Sequence, residues 1–185
     1  MQICEMSDKE SLFLLSSLTE LGYCSKRMIY ERVKPVNKIF EMDFDTLKTS
    51  LKLSEKQIRA VLSLKLKTDE LHEEYLSLSD RKIRFILPFE DDYPQKLLNI
   101  RDYPFGIFVK GDVPQNKKSV AIVGSRSASE YGLGMARFIA KELAQSGVDI
   151  ISGMALGVDT KAHEGAVDGA GKTYAVLCTG VNVCY

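Results

Sequence analysis

Two hydrophobic textures divide this sequence. As far as about Leu66 the apolar residues recur at helical spacing, and from Lys82 onward they gather in short, nearly continuous runs. In the first part, Leu12 to Leu15 and Leu18 predict a helix over 11–21, closed by Gly22. Ser25 is placed to cap a second helix through Val33, which Pro35 ends or restarts. Asp43 or Asp45 can cap 46–51, and Ser54 with Gln57 has capping-box spacing before Ile58, Val61, Leu62 and Leu66. The charged stretch 65–74 predicts a linking helix. In the second part, strands are expected at 84–87, 105–111, 120–123, 148–152 and 173–178, interrupted by a turn at Glu90 to Pro94, a short helix over 95–100 and a break at Tyr103-Pro104. Helical patterns occupy 131–145, ended by Gly147, and 159–167, ended by Gly169.

Apolar strands that alternate with helices imply a parallel sheet with helices packed on its faces and right-handed crossovers. The fold class is therefore α/β, a parallel sheet preceded by a small all-helical domain. The change of texture puts the domain boundary between 1–82 and 83–185.

Composition changes this picture little. The 185 residues are 45% hydrophobic, enough for a core, and 25 basic side chains balance 25 acidic ones. With zero formal net charge, nucleic-acid binding requires a local basic site rather than bulk charge. The cysteines, Cys4, Cys24, Cys178 and Cys184, form no C-x-x-C pair, and His72 and His163 lie far from them in sequence. That spacing argues against a zinc site or disulfide framework and for free thiols in a reducing compartment. The sequence contains no apolar run of about 18 residues and no signal pattern at its start, so a soluble, cytoplasmic protein is expected.

The candidate chemistry lies where the sheet strands end. In an open parallel sheet the ligand crevice forms at the carboxyl ends of the strands. Three loops are expected there: Gly124-Ser125-Arg126-Ser127, the loop from Ser152-Gly153 to Gly157, and Thr179-Gly180-Val181. Ser127 and Glu130 have the spacing of a capping box, so a helix N-terminus should follow the first turn and favour an anion. Arg126 adds a guanidinium suited to bidentate phosphate recognition. Gly124 and Gly153 could equally serve only to let strands turn into helices. The dinucleotide fingerprint G-x-G-x-x-G is absent, the 148–152 strand ends without a ribose-binding carboxylate, and there is no Walker pattern. No cofactor, no metal and no catalytic residue is expected. Asp159 and His163, four residues apart, share a helix face. They read either as an acid–base pair or as a helix N-cap with a histidine hydrogen-bonded against the adjoining loop. Tyr93-Pro94 reads as a packing and turn element.

These residues also carry a family resemblance. Ile122-Val123-Gly124-Ser125-Arg126, Tyr131-Gly132, the run from Ser152 to Asp159, Ala162-His163 and Ala175 to Gly180 follow one another as in the DNA-processing protein A family (DprA, also called Smf). Tyr93-Pro94, Leu97, Tyr103-Pro104 and Phe108 to Gly111 also resemble that family. The match runs from about Ile83 to Tyr185, and the helical N-terminus more weakly resembles a sterile-alpha-motif-like domain. The resemblance implies a Rossmann-like domain that binds single-stranded DNA in natural transformation, loads the RecA recombinase on incoming strands, forms homodimers and performs no catalytic turnover. It places Gly124, Ser125 and Arg126, with Ser152 and Gly153, in the DNA pocket, and Ser127 completes the first loop. It also implies that the family's sheet continues beyond Cys184-Tyr185. The chain then reads as an N-terminal fragment lacking the second half of the Rossmann-like domain, with most of the dimer and RecA surfaces outside it. Weak DNA binding and association through exposed apolar surface are expected of such a fragment.

Two other classes of function compete. One is a nucleotide-processing hydrolase of the lysine-decarboxylase-like Rossmann superfamily, whose P-G-G-x-G-T-x-x-E segment does not occur here. The other is a protein-interaction module built on the helical domain.

Overall fold

A computed structural model of the chain describes residues 6–114 and 118–183. Cys4 and Cys184 lie outside the described residues; Cys24 and Cys178 are free and exposed. The chain forms two compact units, Met1–Gly111 and Asp112–Tyr185.

The first unit begins with five α-helices: α1 (Asp8–Ser16), α2 (Tyr23–Arg32), α3 (Phe44–Ser50), α4 (Glu55–Leu64) and α5 (Thr68–Asp80). Their starts follow local polar chemistry. Ser7 caps α1 by accepting from the Glu10 N–H at 3.1 Å, and Asp43 caps α3 by accepting from Thr46 at 2.8 Å. Ser54 and Gln57 make the full capping box of α4. Several boundaries differ from the sequence expectation, and the linking helix expected over 65–74 is α5, Thr68–Asp80. The first helix starts at Asp8 and stops at Ser16, where the Ser16 and Ser17 hydroxyls donate to the Leu12 and Leu14 carbonyls. These side-chain bonds compete with the helical ladder and end it early. Gly22 therefore does not close the first helix; it is the N-cap of α2, in the place expected for Ser25. Leu12, Leu14, Leu15, Ile29, Ile39, Phe40, Leu47 and Ile58 are fully buried and form the core of the bundle.

The compact unit runs beyond the change of texture at Lys82 because an antiparallel hairpin joins it. Strand β1 (Ile83–Ile86) pairs with β2 (Ile107–Lys110), Phe85 opposite Phe108. Phe13 of α1 meets Phe85 edge-on at 5.5 Å and Phe108 at 6.0 Å, so aromatic packing fixes the hairpin on the helices. Tyr93 is fully buried between the two strands in sequence, and its hydroxyl donates to the Pro104 carbonyl at 2.7 Å. It is a packing element.

The second unit is a three-stranded parallel sheet in the order β3 (Ser119–Ala121), β4 (Asp149–Ser152), β5 (Thr173–Ala175). Helix α6 (Glu130–Gln145) links β3 to β4, and α7 (Val158–Asp168) links β4 to β5. Each strand lies beside its predecessor, so two right-handed crossovers in one direction place both helices on the same face. Ala140 and Ala144 of α6, Ala162 and Ala166 of α7 and Ile150 of β4 form one buried cluster there. Small residues let the two helices approach closely. Alternation turns Ala121, Ile151 and Tyr174 to the opposite face, where they are exposed or half-buried. Helices on both faces would require the strand order to reverse, and β3-β4-β5 contains no reversal.

Candidate functional site

The carboxyl ends of β3 and β4 carry the two glycine loops. Gly124, Ser125, Arg126 and Ser127 are all exposed, whereas Gly153 is half-buried and Ser152 is only 2% exposed. The Ser152 hydroxyl donates to the Ile122 carbonyl at 2.6 Å. Its role is therefore to tie β4 to the end of β3, and its proton is not available to a ligand. Ser125 Oγ accepts from the Ser127 N–H at 3.1 Å, which closes a tight side-chain turn around Arg126. Among the described residues, the Arg126 guanidinium enters no ion pair or hydrogen bond. It is a free cation on an exposed rim.

The helix after the first loop does not start where the serine spacing placed it. The N-cap of α6 is Ser129, whose hydroxyl accepts from the Gly132 N–H at 3.2 Å, and Ser127 stays in the loop. Ser127 to Glu130 has capping-box spacing, but the Ser125–Ser127 turn holds the chain out of helical geometry until Ser129.

The second loop contains the residue that organises both. Asp159 is the second residue of α7, not its N-cap; the cap is Gly157. Asp159 is buried, only 6% exposed as a residue. Its Oδ1 accepts from the Gly124 N–H at 3.2 Å, and its Oδ2 accepts from the Gly153 N–H at 3.1 Å. A buried carboxylate is costly unless hydrogen-bonded, and here two backbone donors and the positive end of α7 compensate it. The two N–H groups that could cradle an external anion thus already hold an internal one.

Close packing locks this arrangement. A Cβ on Gly153 would lie 2.8 Å from Asp159 Oδ2, and one on Gly124 would lie 2.8 Å from the Val158 side chain. Gly157 has φ +88° and ψ −126°, a conformation open essentially to glycine alone. A Cβ there would also lie 2.3 Å from the Ser125 carbonyl oxygen. The same carbonyl accepts from the Val158 N–H at 3.2 Å, so the two loops form one piece. Met154, in the same loop, also has a left-handed backbone, at φ 61°. Just past β5, within the stretch expected as strand, the Val176 carbonyl lies 3.8 Å from where a Gly153 Cβ would be; the third expected loop holds a turn closed from Val183 N–H to Gly180 O at 2.9 Å.

His163 lies one turn along α7 from Asp159 but does not bond to it. Its Nδ1 is 2.6 Å from Thr173 Oγ1 at the start of β5, so its partner is a strand residue and not the adjoining loop. Its Nε2 is buried without a partner. Burial holds its pKa below the ordinary histidine value, opposed in part by the charge of Asp159. Among the described residues, no group of three or more His, Cys, Asp or Glu side chains could hold a metal ion. No helix among them is long and apolar enough to cross a membrane.

Asp159 was hidden from sequence reasoning because its partners are distant. An Asp two residues past a glycine reads as a helix cap, and its bond to Gly124 spans 35 positions. The available signal was the pairing itself: two glycine loops at adjacent strand ends, with one carboxylate in the first helical turn after the second.

Comparison with known proteins gives the family of the matched residues. Residues 84–185, which include both loops, match the DNA recombination-mediator protein A family. The chain is 37% identical over 121 residues to protein Smf of Borreliella burgdorferi, covering 65% of this chain and 38% of that protein. It is 37% identical over 117 residues to DNA processing protein DprA of Streptococcus pneumoniae, covering 63% of this chain and 41% of that protein. The X-ray structure of DNA processing protein A from S. pneumoniae superposes with a TM-score of 0.67 at 24% identity, covering 97% of this chain and 60% of that one. At that identity the likeness speaks for the fold. The chain spans about two-fifths of the length of these two curated relatives.

Proposed function

This chain belongs to the DNA recombination-mediator protein A family, and from that premise we propose that it binds single-stranded DNA as a non-enzymatic mediator of recombination in natural transformation. The observation that carries this reading is the exposed rim Gly124-Ser125-Arg126-Ser127 at the carboxyl end of β3, where an open α/β sheet receives its ligands; among the described residues its guanidinium has no partner. A rim of one arginine, serine hydroxyls and backbone suits the phosphodiester backbone, which is common to every DNA sequence. In this reading Gly153 and Ser152 belong to the site as its support: Gly153 through its bond to Asp159, and Ser152 through its bond to Ile122. The site binds and does not turn over. The DNA-bound protein works with RecA and as a homodimer, in the cytoplasm. In this reading segment 1–82 is a sterile-alpha-motif-like module and the DNA-binding site of segment 83–185 lies in its second compact unit, after Gly111.

Fluorescence anisotropy with a labelled oligodeoxythymidine tests the reading. Arg126→Ala should weaken binding and lower the slope of log affinity against log salt by about 0.7, the value for one lost phosphate contact on a single strand. An unchanged affinity and slope would remove Arg126 from the site.

A further inference from the structure

We infer that Asp159 is the positioning residue of this site and that its carboxylate acts as a built-in anion, which fills the inner phosphate cradle and keeps ligand phosphates on the outer rim. The inference rests on the DNA-binding reading for its ligand, but its geometry stands independently. Three observations carry it. The glycine N–H groups at the carboxyl ends of β3 and β4 both donate to one carboxylate, at 3.2 and 3.1 Å. Asp159 as a residue is 6% exposed, so its carboxylate is largely withdrawn from solvent. The Val158 N–H donates to the Ser125 carbonyl at 3.2 Å, and this bond ties the two loops together against parting around a second anion.

The chemical consequence is selectivity. A free nucleotide seats its terminal phosphate deep in such a crevice, on backbone N–H groups at the strand ends. Here that place carries a negative charge already, and a phosphate entering it would meet repulsion instead of donors. Arg126 and the Ser125–Ser127 turn remain accessible, outside the clamp. A phosphodiester strand needs only this outer contact, because neighbouring phosphates along it can bind elsewhere on the surface. Asp159 thus discriminates a polymer backbone from a mononucleotide, and it holds the loop that presents Arg126.

The test uses the whole chain and follows backbone amides by NMR, with inorganic phosphate, adenosine monophosphate and oligodeoxythymidine as probes. In the wild-type protein, oligodeoxythymidine should move the amides of Ser125, Arg126 and Ser127, and phosphate or the mononucleotide should leave Gly124 and Gly153 unmoved. Asp159→Ala should release the Gly124 and Gly153 amide protons from their carboxylate-bonded shifts. It should also weaken oligonucleotide binding about tenfold, the equivalent of one charge-assisted hydrogen bond. Formate, a free carboxylate, should restore both the shifts and the affinity of that variant and leave the wild type unaffected. A side chain with a purely packing role would not respond to formate. The inference is overturned if phosphate or the mononucleotide perturbs Gly124 and Gly153 in the wild type as strongly as the oligonucleotide perturbs the rim. It is also overturned if formate leaves the variant unchanged. Should Asp159→Ala fail to fold, the wild-type titration alone decides. If the oligonucleotide moves no rim amide while formate still rescues the variant, the DNA-binding reading fails and the clamp survives.

Discussion

Gly157→Ala should separate the two loops of the site, and its cost can be worked from the structure. At φ +88° and ψ −126° an alanine carries backbone strain of about 1–3 kcal/mol. The added Cβ would lie 2.3 Å from the Ser125 carbonyl oxygen, 2.8 Å from the Arg126 Cα and 2.9 Å from the Arg126 carbonyl carbon. All three are backbone atoms, so no rotamer change relieves the overlap. The loop must retreat by about 1 Å, a displacement of the kind that costs about 1–3 kcal/mol in a packed interior. Together the substitution should destabilise the second unit by about 2–6 kcal/mol and displace Arg126 from its rim position. The sequence contains no tryptophan, so unfolding is best followed in urea by the NMR signals of the buried Ala140 and Ala166 of α6 and α7. Oligonucleotide affinity is measured below the transition. A variant within about 0.5 kcal/mol of the wild type, the range of an inconsequential surface change, would refute the interlocked-loop argument.

Other substitutions probe separate links of the reasoning. Gly134→Ala makes the same chemical change inside α6, where a Cβ meets nothing within 4 Å; it should stabilise the second unit by about 0.4–1 kcal/mol in the same urea experiment. His163 has a lowered folded pKa, so the unfolded chain takes up a proton first, near the ordinary value of about 6.5. Its contribution is therefore complete above that pH and lost as pH falls from there toward the lowered folded value; His163→Gln should flatten this acid limb of the stability profile. Tyr93 shows the opposite sign. Burial first, and then the charge of Tyr103, push its hydroxyl from 10.0 up to about 12, so stability of the first unit is lost as pH rises between those values. Tyr93→Phe should remove that alkaline limb and cost about 0.5–1.5 kcal/mol at neutral pH, the net worth of its hydrogen bond to the carbonyl of the exposed Pro104.

Local chemistry was enough to determine much of this chain. The Asp43 cap, the Ser54–Gln57 capping box and the strand–helix alternation after residue 118 depend on neighbours a few positions apart, and each formed as its spacing dictates. Apolar runs too continuous for a half-buried strand fixed the parallel sheet, and the exposed Gly124-Ser125-Arg126 turn was legible at its carboxyl end. Tertiary structure decided what depends on partners far away in sequence. Phe13 drew the 83–110 hairpin onto the helical bundle, across more than 70 positions, and so extended the first compact unit past Lys82 to Gly111. The Ser125–Ser127 turn moved the start of α6 to Ser129. Above all, the sequence left Gly124 and Gly153 readable as a phosphate cradle or as plain turn glycines, and Asp159 as half of an acid–base pair or as a helix cap. Only folding brings the two strand ends side by side, and there one buried carboxylate satisfies both donors, because a desolvated charge and two orphaned N–H groups are each costly alone and stable together.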